Sequence, residues 1–199
     1  MTKLSLKEGT KLIELARKSI KYFFATETIM KDNHQEKFSE KQGVFVSLHD
    51  EFRELRGCIG FPFPVMPLWN AVIDTSVSAA FKDPRFNPLK IEELDKVKLE
   101  ISVLSVPEEI KEKKELILKK IKIGENGLII KMHGNSGLLL PQVATEWKYN
   151  SKEFLEQTCV KAGLDKQDWK KKECKILKFQ AQIFKEEKDK VIEVKNSTC

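Results

Sequence analysis

Near the start of the chain, apolar residues recur every three or four positions, which is the spacing of one face of a helix. The stretch from Leu12 to Phe23 follows this spacing. Ser5 lies three residues before Glu8, as a capping box requires. The pattern predicts a helix over residues 6–25, followed by an exposed loop over the polar, aperiodic residues 31–42.

The pattern changes to the alternation of a strand at residue 43. Residues 43–49 (GVFVSLH) and 53–60 (RELRGCIG) predict the two strands of a hairpin. Helical spacing returns over residues 67–81, and alternation returns over residues 97–106. Between them, residues 83–88 (DPRFNP) contain two prolines, which stop a helix and favour an extended link.

The second half of the chain resembles the first at a constant offset of 84 positions. The aligned pairs are 43–49 with 127–133, 54–58 with 138–142, and the predicted helix segment 67–78 with the predicted helix 151–162. The first pair begins with glycine and ends with histidine in both copies. This similarity predicts an internal duplication, although short amphipathic elements also match by chance.

The element order predicts the fold class. A further strand over residues 176–184 closes the second copy, so each half reads strand-strand-helix-strand, about 43–106 and 127–184. Strands mixed with helices in this order predict an α+β fold, mainly antiparallel sheet with flanking helices in two lobes. We expect one domain over residues 1–199, with the helix 6–25 added before the repeats.

The composition is typical of a globular protein. Apolar residues make up 41% and charged residues 33% of the 199 residues. No apolar run approaches the roughly 18 residues that a membrane helix needs. The beginning of the chain, MTKLSLKEGTK, lacks the apolar centre of a signal peptide. We therefore expect a cytoplasmic protein with no membrane segment.

Motifs that identify common chemistries are absent from the sequence. The four cysteines form no C-x-x-C pair and the three histidines have no zinc-ligand spacing, so we expect free thiols and no metal site. There is no P-loop, G-x-G-x-x-G or G-x-S-x-G motif. The net charge of +6 is a mild excess. Its densest cluster, residues 111–120, is interrupted by glutamates, which favours a solvated face over a nucleic-acid contact.

The segment RELRGCIGFPFPVMP (53–67) carries the first candidate chemistry. In a regular strand Arg56 and Cys58 share one face, where the guanidinium lowers the pKa of the thiol and raises its reactivity. An arginine here needs a carboxylate, phosphate or water partner. Gly57 and Gly60 let a ligand or another backbone approach closely. The alternative, which the residue type alone favours, is that Cys58 is a small buried apolar residue.

Two further segments add candidates. Asp83 and Arg85 lie two residues apart in an extended stretch, so they form a local ion pair, or Arg85 binds an anionic group. Glu146 follows an apolar strand, where it caps the next element, acts as a general base or pairs with Arg56. Gln142 is the counterpart of Cys58 at the repeat offset. If the two strands meet around a pseudo-twofold axis, these side chains and Arg56 share one cleft.

The motifs resemble those of a known family. Leu55–Gly60 (LRGCIG) is similar to the hallmark string of the AMMECR domain family. The other matching segments are SAAF (78–81), DPRF (83–86), EISVL (100–104), GLLLPQVA (137–144) and FQAQIF (179–184). The resemblance covers about residues 6–186. It implies a two-lobed α+β fold with an internal repeat.

The chain resembles the stand-alone prokaryotic form of that family, AmmeMemoRadiSam protein A. Genes of this form often accompany a Memo-like protein and a radical SAM protein, which implies a shared modification pathway. The family has no settled activity, so the resemblance leaves substrate and cofactor open.

We therefore hypothesise an enzyme or enzyme subunit acting on a small anionic substrate or a modified macromolecule. Arg56 and Arg85 would bind the anion, Cys58 would be nucleophile or contact residue, and Glu146 would be acid or base. The remaining substrate-binding candidates are Gly57, Gly60, Asp83 and Gln142. The main alternative is a non-catalytic adaptor that binds proteins through Phe61, Phe63 and Trp147. A nucleic-acid-binding protein is the weaker alternative.

Overall fold

A computed structural model describes residues 3–31 and 36–194, with Glu36 described by its backbone alone. The helices are α1 (Leu6–Thr26), α2 (Leu68–Phe81), α3 (Lys114–Ile117), α4 (Pro141–Glu146) and α5 (Ser151–Lys161). The strands are β1 (Gly43–His49), β2 (Leu55–Phe61), β3 (Lys98–Leu104), β4 (Glu108–Glu109), β5 (Gly127–Met132), β6 (Asn135–Leu139), β7 (Lys175–Phe179), β8 (Ala181–Glu187) and β9 (Lys190–Val194). The predicted α+β class is confirmed.

The chain divides into two units. The first runs to Leu104 and resumes at Gln182, and the second spans Ser105–Ala181. Each unit has its own sheet and its own apolar core. The order strand-strand-helix-strand occurs in both, as β1-β2-α2-β3 and as β5-β6-α5-β7, with α4 before α5. An internal duplication as the origin of this order stays a prediction.

The predicted capping box starts α1 in the first unit. The Ser5 backbone N–H donates to the Glu8 carboxylate at 2.7 Å, and the Glu8 N–H donates to the Ser5 hydroxyl at 3.4 Å. These two bonds satisfy donors that a helix start otherwise leaves unpaired. One face of α1 is fully buried at one-turn intervals, at Leu12, Ala16 and Ile20.

The sheet of the first unit has the order β2-β1-β3-β8-β9, which makes β2 an edge strand. β1 is antiparallel to both β2 and β3. Alternate residues of β1 and β3 join α1 and α2 in one core, as expected for strands with one buried face. These residues are Val44, Val46, Leu48, Leu99, Ile101 and Val103, each at most 1% exposed.

The sheet of the second unit has the order β4-β7-β5-β6, with β5 antiparallel to β6 and β7. Asn150 caps α5, because its side chain accepts the backbone N–H groups of Lys152 and Glu153 at 3.0 Å. Its core combines β5, α5 and β7 through Leu128, Ile130, Phe154, Leu155 and Ile176.

Two predicted strands need correction. The single strand over 176–184 is two strands, because both backbone groups of Gln180 bond to Ser105 at 2.9 Å. β7 ends before Gln180 in one sheet and β8 begins after it in the other. The strand predicted to reach Gln142 ends at Leu139, and Pro141 starts α4 instead. In the predicted exposed loop, residues 32–35 lie outside the described residues.

Phe38, in the same predicted loop, is buried. Only 1% of it is exposed, and its ring stacks on that of Trp69 with centroids 5.6 Å apart. The loop therefore contributes one aromatic residue to the core of the first unit.

Across residues 3–31 and 36–194, no helix has both the length and the apolar content needed to cross a bilayer.

Candidate functional site

The LRGCIG segment forms the edge strand β2 of the first unit. Cys58 lies opposite Ser47 on β1, and Ser47 lies opposite Glu100 on β3. Since neighbours across a sheet share a face, these three side chains form one polar row. Gly57 and Ile59 have the opposite orientation, towards the core that contains α2.

The strand is irregular at Arg56. Gly57 pairs with Leu48 and Leu55 pairs with His49, so Arg56 is the extra residue of a β-bulge. A bulge changes the direction of a side chain and bends the strand. The shared face predicted for Arg56 and Cys58 assumed a regular strand, and the bulge removes that assumption.

Arg56 binds within its own chain. Its Nε and Nη2 atoms donate to the two carboxylate oxygens of Glu93 at 2.8 and 3.1 Å, and its Nη1 donates to the Asn87 carbonyl oxygen at 2.9 Å. The guanidinium holds the pKa of the Glu93 carboxyl below its usual range. The partner that Arg56 needs is therefore a carboxylate, and this contact fastens residues 87–93 to β2.

We expect Arg56→Ala to lower the free energy of unfolding by about 1–2 kcal/mol, because it removes a two-bond ion pair and a carbonyl contact. Arg56→Lys should restore less than half of that loss, since an ammonium cannot donate to both carboxylate oxygens in the same geometry. Urea denaturation of the three proteins measures the difference. An Arg56→Ala protein of unchanged stability would instead favour a binding role for this residue.

Asp83 and Arg85 form the predicted ion pair, here named the Asp83–Arg85 clasp. The buried Asp83 carboxylate accepts from Arg85 Nε at 2.9 Å and from Arg85 Nη2 at 2.7 Å. It also accepts the backbone N–H of Cys58 at 2.8 Å, while Arg85 Nη2 donates to the Cys58 carbonyl oxygen at 3.2 Å. The clasp thus occupies both outward backbone groups of Cys58 on the edge strand.

The clasp has an electrostatic signature. Hydrogen bonding from Arg85 lowers the pKa of Asp83 from 3.8 to about 2, and the Asp83 carboxylate raises the pKa of Arg85. Arg85 also lies 5.4 Å from the centroid of the Phe86 ring, a cation–π distance. The Arg85 side chain stays 48% exposed, whereas that of Asp83 is 2% exposed.

The thiol of Cys58 is half-buried and accepts a hydrogen bond from the Ser47 hydroxyl at 3.1 Å. Burial raises the pKa of the thiol, and the opposing effects of Ser47 and Arg85 are smaller. The prediction of a thiol with a lowered pKa is therefore wrong. The guanidinium that does favour the thiolate belongs to Arg85, and Arg56 is engaged by Glu93.

The two glycines of the motif contact protein. A Cβ added at Gly57 would overlap the carbonyl oxygen of Ala79 in α2, and one added at Gly60 would overlap the ring of Phe45. The sequence left open whether a ligand or another part of the chain approaches these glycines. At both positions the neighbouring atoms belong to the protein. A substrate contact at either glycine stays a prediction.

Gln142 and Glu146 lie on α4 in the second unit. Gln142 is half-buried and Glu146 is exposed. The prediction that Gln142 occupies a strand position equivalent to that of Cys58 is wrong, because proline at the first position of a helix favours α4 here. The catalytic role of Glu146 and the binding role of Gln142 stay predictions.

The aromatic residues of the adaptor alternative differ in exposure. Phe61 packs against the core of the first unit and Phe63 is half-buried. Trp147, in the second unit, is 68% exposed. Trp147 is the exposed aromatic of the three, and the adaptor role of these residues stays a prediction.

Sequence reasoning missed two residues of the site. Ser47 lies opposite Cys58, but a regular register counted from the turn would place Val46 there, because the bulge at Arg56 shifts the pairing by one residue. Glu93 is 37 positions from Arg56, and no local pattern joins the two. Within the part of the chain that the structure describes, no group of three or more His, Cys, Asp or Glu side chains is placed to hold a metal ion.

Comparison with known proteins identifies a family. The family model named AMMECR1 matches residues 13–184 of the chain. Protein MJ0810 of Methanocaldococcus jannaschii is 46% identical over 189 residues, 94% of each chain. Protein Ta0236 of Thermoplasma acidophilum is 46% identical over 184 residues, 92% of this chain and 89% of its own.

A solved structure shares the fold. The crystal structure of the uncharacterized protein PH0010 from Pyrococcus horikoshii matches with a TM-score of 0.91 at 40% identity. The match covers 96% of this chain and 98% of the other. The two proteins therefore share their fold over nearly their whole length.

Proposed function

This chain belongs to the AMMECR1 family, and we propose that it is a subunit of a modification pathway that contacts an anionic group of its substrate beside Cys58. The proposal rests on Arg85, whose side chain is 48% exposed although a buried carboxylate fixes its guanidinium against β2. A Memo-like protein and a radical SAM protein are the proposed partners, because genes of the prokaryotic form that the chain resembles accompany theirs.

The roles of the side chains follow from their bonds. Asp83 occupies the Nε and Nη2 donors of Arg85, and among the described residues the Nη1 group makes no hydrogen bond. An arginine with free donors and a fixed orientation is a ready contact for a carboxylate or a phosphate. Because its pKa is raised, the Cys58 thiol is neutral at pH 7. We assign it as a contact residue for the bound group.

The test compares alkylation of Cys58 by iodoacetate, an anion, with alkylation by iodoacetamide, which is neutral. The Cys58 thiolate attacks the methylene carbon of either reagent and displaces iodide, so the ratio of the two rate constants cancels any change in thiol pKa. We expect Arg85→Gln to lower the iodoacetate-to-iodoacetamide ratio roughly fivefold, because the cation that attracts the anion is gone. Arg85→Lys should keep most of the ratio.

Arg53→Gln is the matched control, since it removes the same charge from an exposed residue in the hairpin turn. Mass spectrometry separates Cys58 from the buried Cys159 and Cys174. A ratio that Arg85→Gln leaves unchanged would contradict the anion contact. If the pathway proposal is right, we expect the chain to copurify with the Memo-like or the radical SAM protein. Alkylation of Cys58 at an unchanged rate in such a complex would mean that the partner binds away from Cys58.

A further inference from the structure

The positive charge of the chain is concentrated in the second unit. Residues 105–181 contain 16 lysines, no arginine and 11 aspartates and glutamates, a net charge of +5 out of +6 for the whole chain. The first unit is close to neutral by the same count. An uneven distribution of this kind favours an anionic partner for the second unit.

Trp147 is the exposed tryptophan of the chain. It is 68% exposed, whereas Trp69 and Trp169 are 8% and 5% exposed. Its ring lies parallel to that of Tyr149, with centroids 6.4 Å apart and an interplanar angle of 12°. Lys148 lies between them in the chain with a φ of 54°, in the left-handed region. The segment therefore presents two stacked rings and an ammonium group.

The geometry of this segment is fixed by α4. The backbone N–H of Trp147 donates to the Val143 carbonyl oxygen at 3.1 Å, and the backbone N–H of Tyr149 donates to the Ala144 carbonyl oxygen at 2.9 Å. Tyr149 packs against the core of the second unit, so it anchors the pair while Trp147 extends into solvent. A flat ligand can stack on the indole without rearrangement of the backbone.

Further lysines surround the start of α5. The Ser151 hydroxyl donates to the Ile121 carbonyl oxygen at 3.1 Å, which brings the neighbours of Ile121, Lys120 and Lys122, to the first turn of α5 near Lys152. These three lysines are 50–70% exposed, and each lies 3.2–3.9 Å from a glutamate. Exposed ion pairs of this kind are weak, so a phosphate can take the place of the carboxylate.

We propose that the second unit binds single-stranded nucleic acid, with Trp147 as the base-stacking residue and Lys120, Lys122, Lys148 and Lys152 as phosphate contacts. Stacking on an exposed aromatic ring beside lysines is the usual mode of sequence-tolerant single-strand binding. An acidic protein segment would match the charge equally well. We favour a nucleic acid because the exposed indole, stacked beside Tyr149 and followed by Lys148, offers a flat face to a base next to a phosphate contact.

The experiment titrates the full-length chain with a fluorescein-labelled 12-nucleotide oligouridylate and follows anisotropy and tryptophan fluorescence. We expect quenching, since Trp147 is the exposed emitter, and a Kd that Trp147→Ala weakens about tenfold. The logarithm of the association constant should fall with the logarithm of salt concentration at a slope of about −2 to −3, as expected for three to four phosphate contacts.

Phe52→Ala is the matched control, because Phe52 is 78% exposed in the near-neutral first unit. It should leave the Kd unchanged. Equal effects of Trp147→Ala and Phe52→Ala, or binding without a salt dependence, would overturn the proposal. Competition by poly-glutamate as strong as that by unlabelled oligouridylate at equal charge would assign the surface to an acidic protein segment instead.

Discussion

Gly57→Ala is expected to lower the free energy of unfolding by about 3 kcal/mol or more, or to prevent folding. The added Cβ would overlap the carbonyl oxygen of Ala79, which is backbone in the middle of the first unit and cannot rotate away. Either α2 moves off β2 or the edge strand separates from β1, and both changes expose core surface. Urea denaturation followed by circular dichroism measures the loss.

Gly134→Ala provides the comparison for this prediction. A Cβ at Gly134 meets nothing within 4 Å, but the residue has a φ of 83°, so alanine there should cost only about 1 kcal/mol. If Gly57→Ala were no more destabilising than Gly134→Ala, α2 would not lie against β2 as described. The glycine of the motif would then be free for a ligand.

The sequence predicts well those helices and strands in which buried residues recur at a single regular spacing. One set of alternate residues in β1, Val44, Val46 and Leu48, faces the core, and the bounds of the strand, 43–49, match the prediction. α1 has one buried stripe and a capping box, and it extends one residue beyond the predicted end at 25. In both cases the local pattern and the tertiary burial favour the same structure.

The errors arise where residues distant in the sequence determine where a strand ends. Gln180 interrupts an apolar alternating stretch because Ser105, 75 positions away, bonds both its backbone groups. No periodicity in residues 176–184 contains that information. The early end of the strand before α4 had a local signal in Pro141, which the repeat alignment overrode.

The same distinction holds for the candidate site. The Asp83–Arg85 clasp was foreseeable because its members are two residues apart in an extended segment. The engagement of Arg56 was not, because it depends on a one-residue bulge and on Glu93 in another segment. A bulge depends on how two strands meet, so a pattern read along one strand assumes regular alternation and cannot give the direction of a bulged side chain.

Asp83→Asn is expected to lower the free energy of unfolding at pH 7 by about 2–3 kcal/mol. Both carboxylate oxygens of Asp83 accept two bonds each, from Arg85 and from the backbone N–H groups of Cys58 and Arg85. An amide replaces one acceptor by a donor, so at least one of these groups loses its partner. Asp189→Asn, at an exposed turn position, is the matched control and should change little.

The pH dependence identifies the ionised carboxylate as the cause. The pKa of Asp83 falls from 3.8 to about 2 on folding, so its contribution is fully present above about pH 5 and is lost as the pH falls towards 2. The stability difference between wild type and Asp83→Asn should therefore shrink between pH 5 and pH 2. A difference that stays constant over this range would mean that the bonds of the clasp do not depend on its charge.

Asp83→Asn also distinguishes the effect of Asp83 on stability from its effect on the proposed anion contact at Arg85. If Asp83 fixes Arg85 beside Cys58, Asp83→Asn should reduce the preference of Cys58 for iodoacetate even at pH 7, where the protein is still folded. Loss of stability with the preference intact would mean that Arg85 finds its position without the carboxylate. Loss of both the stability and the iodoacetate preference would mean that the clasp covers the sheet edge and also orients the Arg85 guanidinium. The reason is that the Asp83 carboxylate accepts hydrogen bonds from the Cys58 backbone N–H and from Arg85.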